Sequence, residues 1–202
     1  MKFICFLLIF VSTYSFAQKS PNLLSKGITA FEKGQHSKAE RYFDKILVQA
    51  NEGSGDWTTE DYAETYRWKG KCLQEFEDYQ AAYEHFSTAC NLLPQNAIYW
   101  LEMGKFKYHI GMTSIRKPEL CGSCGKTILP ESNAAKASDY YKSALIDYKK
   151  ALLYAPKFDE AHYHIALNYE ALGQKEQACY HLQQASNLNH PLAVKHLKTL
   201  CP

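Results

Sequence analysis

The sequence predicts an all-α fold of stacked helix-turn-helix units, and three observations carry that expectation. A small residue is followed by an Ala-x-x-x-aromatic motif in three stretches: Gly27 with Ala39 and Phe43, Gly70 with Ala82 and Phe86, and Gly104 with Ala144 and Tyr148. A proline stands eight residues beyond the second and third aromatics, at Pro94 and Pro156. The step from Gly70 to Gly104 is 34 residues, a period typical of units that cannot bury an apolar face alone and therefore stack. Small side chains at fixed offsets are what two helices need in order to approach closely. A fourth copy, Ala166, Ala178, Leu182 and Pro191, replaces the aromatic with Leu.

The chain opens on a segment that reads as a signal peptide, residues 1–17. Lys2 supplies a positive start, Phe3 to Val11 an apolar stretch, and Ser15-Phe16-Ala17 a small-x-small exit. Nine apolar residues fall well short of the roughly 20 that span a bilayer, so cleavage before Gln18 is expected rather than anchoring. Cys5 has no lipidation box ahead of it, and no later segment is apolar enough to cross a membrane. The expectation is an exported protein, periplasmic or secreted. The leader and its Ala17-Gln18 junction resemble those of Gram-negative bacteria, particularly the Bacteroidetes type.

The mature chain, 18–202, divides into repeats at about 22–51, 59–94, 97–156 and 159–190, with a cap over 191–202. In the first, Leu23, Gly27 and Ala30 share a helical face, Gly34-Gln35-His36 makes a turn, and Ala39, Phe43 and Ile46 follow at helical spacing. A glycine-rich linker, Glu52-Gly53-Ser54-Gly55-Asp56, precedes an N-cap at Thr58 or Thr59. The second repeat places Tyr66, Gly70 and Leu73 on one helix, a turn at Phe76-Glu77-Asp78-Tyr79, and Ala82, Phe86 and Ala89 on the next. Trp100-x-x-Met103-Gly104 opens the third, and Glu160 to Tyr169 forms the first helix of the fourth. A short helix from Leu192 to Leu200 would cover the last apolar face.

This pattern resembles the tetratricopeptide repeat (TPR) family, whose signature runs W-x-x-L-G-x-x-Y, then A-x-x-x-F, then P. Departures are local: Ala30, Leu73 and Lys107 stand for the first-helix Tyr, Ala166 for Gly, and Asn51 for the closing Pro of the first unit. The resemblance implies an all-α TPR-type solenoid of four repeats plus a C-terminal capping helix, with a concave groove for a protein or peptide partner. It places Ile28, Phe31, Arg67, Lys71, Gln74, Leu101, Lys105, Tyr108, Tyr163, Leu167 and Glu170 along that groove. Arg67, Lys71 and Lys105 give its middle a positive tint suited to a segment bearing a carboxylate. Leu24 and Ile28 occupy the opening clamp positions of chaperone-tail-binding relatives, so that partner is not implied.

The third repeat carries an insertion, 112–131, expected as a loop between a helix ending near Gly111 and one starting near Ser132. At its centre lies Cys121-Gly122-Ser123-Cys124-Gly125. Three chemistries compete there: a local disulfide favoured by export, a metal knuckle needing His109 or another ligand to complete it, and a redox-active dithiol. The second and third form the alternative to a pure scaffold, a metal-binding or thiol-exchange protein. Cys179 and Cys201 each lie eleven residues from His190, hence level across an antiparallel turn, and are expected to form a disulfide worth about 3 kcal/mol in the entropic model. Cys72 and Cys90 fail that test and should pack as small apolar groups.

Composition excludes other classes. Lys plus Arg number 23 against 21 Asp plus Glu, a balance that calls for no nucleic acid, and Lys142, Lys149 and Lys150 read as a solvated stripe. No phosphate loop, HExxH motif or nucleophile elbow appears. His162, His164, His181, His190 and His196 read as helix-surface or interface residues. Neither enzymatic activity nor a cofactor is expected.

Overall fold

The computed structural model describes residues 21–116 and 130–201, and among them the chain is helical throughout: α1 (Pro21–Glu32), α2 (His36–Asn51), α3 (Thr59–Glu75), α4 (Tyr79–Leu92), α5 (Ala97–Arg116), α6 (Pro130–Tyr154), α7 (Asp159–Ala171), α8 (Lys175–Asn187) and α9 (Ala193–Leu200). Four antiparallel pairs stack in chain order, and α9 packs on α8. The leader, Cys121 and Cys124 lie outside the described residues.

Local chemistry sets the helix ends. Thr58 caps α3 by a capping box: its Oγ1 accepts from the Asp61 amide at 3.1 Å, while its own amide donates to Asp61 Oδ2 at 3.0 Å. Asp78 caps α4 by accepting from the Ala81 amide at 3.2 Å. Two of the hairpins turn through a glycine in the left-handed region, Gly34 at φ 72° and Gly173 at φ 71°. The second hairpin places Glu77 at φ 60° in the corresponding turn.

The first three helix pairs each close on a ring laid where a side chain is missing. A Cβ built on Gly27 would lie 2.5 Å from the Phe43 ring, and one on Gly104 2.5 Å from the Tyr148 ring. Phe43 and Tyr148 are themselves fully buried, so neither ring can swing aside. At Gly70 the Phe86 ring is 3.2 Å away, a tight but less severe contact. The fourth pair has Ala166 and Leu182 instead, both fully buried; a narrower aliphatic side chain leaves room for a methyl group.

The same rings reach forward to the next unit. Phe43 and Ile46 cluster with Trp68 and Cys72 of α3, Phe86 and Cys90 with Tyr99, Met103 and Phe106 of α5, and Tyr148 and Ala151 with Ala161 and Ile165 of α7. Cys72 and Cys90 are thus reduced, buried packing groups, and burial pushes both thiols up to about 12. The first helices of successive units also touch, α1 with α3, α3 with α5 and α5 with α7, while the second helices splay apart. That asymmetry curves the stack and puts α1, α3, α5 and α7 on the inner face.

The third hairpin is longer than expected from the sequence. Instead of ending near Gly111, α5 runs to Arg116, and α6 begins at Pro130, so both flanks of the supposed loop insertion, 112–116 and 130–131, are helix. A Cβ on Gly111 would meet the Tyr141 ring at 2.5 Å, and the Tyr141 hydroxyl donates to Met112 Sδ at 3.2 Å. Gly111 and Tyr141 repeat the Gly104–Tyr148 contact two turns further along. Lys107, which stands for the repeat's usual Tyr, pairs with Asp147 of α6 at 2.5 Å.

At the far end Cys179 of α8 and Cys201 after α9 form a disulfide with Cα atoms 5.9 Å apart, so the last helix is held covalently as well as by packing.

Two stability outcomes follow from this packing. Gly104→Ala should destabilise by about 1–3 kcal/mol through overpacking, despite roughly 1 kcal/mol of gained helix propensity, whereas Gly70→Ala should be near neutral; equal thermal midpoints for the two variants would contradict the assigned contacts. Cys201→Ser should lower the midpoint by several degrees, in line with the ~3 kcal/mol expected for the closed loop, with α8 and α9 amides exchanging first.

Candidate functional site

The inner face is built from side chains of α3, α5 and α7 that point away from their partner helices. At its centre Glu102, only 9% exposed, is ringed by cations: Arg67 Nη1 at 3.7 Å, Lys71 Nζ at 3.8 Å and Lys105 Nζ at 3.4 Å. Arg67 also pairs with Glu64, which accepts from the Trp68 indole at 2.7 Å. Lys105 reaches across to Glu160 of α7 at 3.1 Å. The positive tint expected from Arg67, Lys71 and Lys105 is therefore corrected: Glu64, Glu102 and Glu160 compensate it, and the surface is a row of alternating charge spanning three helices.

Burial and pairing act oppositely on these groups. Burial pushes the Lys71 ammonium below its ordinary value although Glu102 opposes the shift. Burial also acts against the Lys105 ammonium, but Glu102 and Glu160 hold it above the ordinary value. A hydrogen bond from His164, reinforced by Lys105, holds the Glu160 carboxyl down to about 2. Lys71 lies over the Trp68 ring at 4.4 Å and the Phe31 ring at 5.6 Å, a cation–π contact that fixes its position.

Of the expected groove residues, Ile28, Phe31, Arg67, Lys71, Gln74, Lys105, Tyr108, Tyr163 and Leu167 are half-buried and Glu170 is exposed. Leu101 is the exception. It is 1% exposed and packs with Ala144 and Tyr148, so it belongs to the core and offers nothing to a ligand. The C-terminal end is aromatic: Tyr163 stacks on His190 at 4.3 Å, and Glu170 pairs with His196 of α9 at 3.0 Å. Helix α9 thus closes the groove as well as capping the stack. Sequence reasoning missed Glu64, Glu102 and Glu160, although each lies three or four residues from a partner on its own helix, Arg67, Lys105 and His164.

His162 and His181 meet between α7 and α8 with Nδ1 atoms 3.1 Å apart, and His162 Nε2 lies 3.4 Å from the Pro156 carbonyl. The ring of Tyr169 stacks on His181. Burial, with His162 and Lys149 adding repulsion, pushes His181 down to about 4. His109, the potential third ligand for the Cys121/Cys124 loop, packs against Tyr79 at 6.1 Å between ring centres. Among the described residues no group of three or more His, Cys, Asp or Glu is placed to hold a metal ion, and no helix is long and apolar enough to cross a membrane.

Paired helices stacked by Gly–aromatic contacts, curved around an inner face, define a TPR-type helical solenoid. The thermophilic TPR protein TTC0263 of Thermus thermophilus is similar, with a TM-score of 0.65 at 18% identity over 89% of this chain and 79% of that one. MamA is similar at TM-score 0.53 and 20% identity, over 85% and 78% of the two chains. The TPR domain of Arabidopsis OM64 matches at 0.52 and 16%, over 71% and 98%. At these identities the likeness speaks for the fold alone. The family model of the regulator of microtubule dynamics proteins 1-3 matches residues 74–193, more than half of the sequence, and the chain belongs to that family. No curated protein matches.

A depressed histidine value means that the unfolded chain binds the proton first, so stability is full above about 6.5 and falls as pH drops toward 4. His181→Gln should flatten the thermal midpoint over that window. An unchanged slope would rule out the His162–His181 contact as its source.

Proposed function

We propose that this chain is an exported, non-catalytic scaffold that binds a protein or peptide on its inner face. The observation that carries the reading is the half-buried row from Glu64 through Arg67, Lys71, Glu102 and Lys105 to Glu160, shared by three helices. Helices hold these side chains in place before any ligand arrives, so little ordering entropy opposes binding. Alternating charge favours a partner that presents both signs in register, which sets specificity more than affinity. Half-buried rings at both ends, Phe31 backed by Trp68 and Tyr163 backed by His190, supply apolar surface for side chains of the partner. Export rests on the leader read from residues 1–17.

Affinity capture from the exported fraction, followed by mass spectrometry, tests both parts. The recovered chain should begin at Gln18, and a defined partner should co-purify. Lys71→Gln with Lys105→Gln should weaken capture at least about tenfold, with helicity unchanged by circular dichroism. Undiminished capture by the folded double variant would reject the inner face, and a chain retaining Met1 would reject export.

A further inference from the structure

A second cleft lies away from the inner face, where the extended third hairpin overhangs its neighbour. Because α5 runs on to Arg116 and α6 starts at Pro130, the N-terminal part of α6 stands opposite α4 across a gap of about 620 Å³. Tyr79 and Tyr83, one helical turn apart on α4, form one wall, Tyr140 of α6 forms the other, and Phe106 and Ile110 of α5 form the floor. Tyr83 and Tyr140 are 45% and 37% exposed, large rings left open to solvent at the lip of a concavity. A volume of this size falls within the range of ligand sites.

The polar chemistry of the cleft is one-sided. The three phenol hydroxyls and the Ser143 hydroxyl carry donors, and the Gln80 amide keeps a second N–H beyond the one it gives Glu84 at 2.8 Å, while the Ser114 hydroxyl donates to the Ile110 carbonyl at 2.8 Å; against these stands one lining carboxylate, Asp139. The charge of Lys107 at the floor is met by Asp147 beneath it, and Lys136 shares the lining with Asp139, so the site holds no strong net charge that would select an anion. The complement to a donor-rich, aromatic, near-neutral surface is a chain rich in carbonyl acceptors and poor in N–H groups, with flat apolar side chains. A proline-rich segment has that composition: proline lacks the amide hydrogen, and the polyproline helix leaves its carbonyls free. Aromatic-lined clefts recognise this conformation because it is ordered before binding.

We propose that the Tyr79–Tyr83–Tyr140 cleft is a docking site for a proline-rich segment of a partner protein in the extended polyproline conformation. The site is independent of the inner face, and the two can be occupied together.

Fluorescence anisotropy of labelled decaproline with the mature chain tests this. Saturable binding is expected, weakened about tenfold or more by Tyr83→Ala and by Tyr140→Ala, and unaffected by Lys71→Gln with Lys105→Gln. Both tyrosines are exposed, so their variants should keep the parental helicity; Tyr83→Phe and Tyr140→Phe, which keep the ring and remove the donor, provide a milder pair that should bind with a smaller loss. No saturable binding of decaproline, equal binding of a Gly-Ser peptide of the same length, or binding indifferent to both tyrosines would each overturn the proposal.

Discussion

The contact on which this structure depends is a ring packed directly against a glycine. It sets how closely the two helices of a unit approach, because neither partner can yield: Gly104 has no side chain to move and Tyr148 is fully enclosed. The same ring presents its other side to the next unit, Tyr148 to Ala161 and Ile165, Phe86 to Tyr99 and Phe106. One side chain therefore fixes both the spacing within a hairpin and the step between hairpins. The stack has no single large core and needs none, since each unit buries its neighbour's apolar face.

Much of this was legible in the primary structure because the small-aromatic pairing constrains two positions at once. The fourth unit illustrates it: Ala166 departs from glycine only where Leu182 departs from the ring, so the two changes compensate. The third hairpin was harder to read for a physical reason. Gly111, followed by Met112-Thr113-Ser114, has the local composition of a helix end, and Pro118 and Pro130 reinforce that impression. What overrides local preference is tertiary: Gly111 receives Tyr141 as Gly104 receives Tyr148. The repeated spacing, seven residues on each helix, was visible but gains meaning only once the two helices are known to be antiparallel and in register.

The inner face was legible by position and misread in charge. Family position points to the residues of a first helix that turn inward, and Arg67, Lys71 and Lys105 do lie together around Glu102, but it cannot distinguish a side chain that lines the surface from one tucked just beneath it, as with Leu101. Counting cations alone also omits the groups they face. Glu102 sits one turn before Lys105 and beneath two residues of another helix, and that cross-helix proximity has no signature in a linear pattern.

That correction changes what the surface can do. A bare positive groove would attract any acidic segment at long range, with strong dependence on salt. A row whose charges are already paired behaves otherwise. Each pair is partly desolvated in the free protein, so part of the cost of burying charge is met before binding. A ligand that offers one sign only would satisfy some side chains while stranding their present partners, and a stranded charge near a burial site is more costly than the pair it replaced. If the inner face binds a partner as proposed, discrimination would arise from the carboxylates as much as from the lysines. Glu102, placed among three cations contributed by two helices, is the carboxylate that a ligand competing for those cations would leave with the most partners lost.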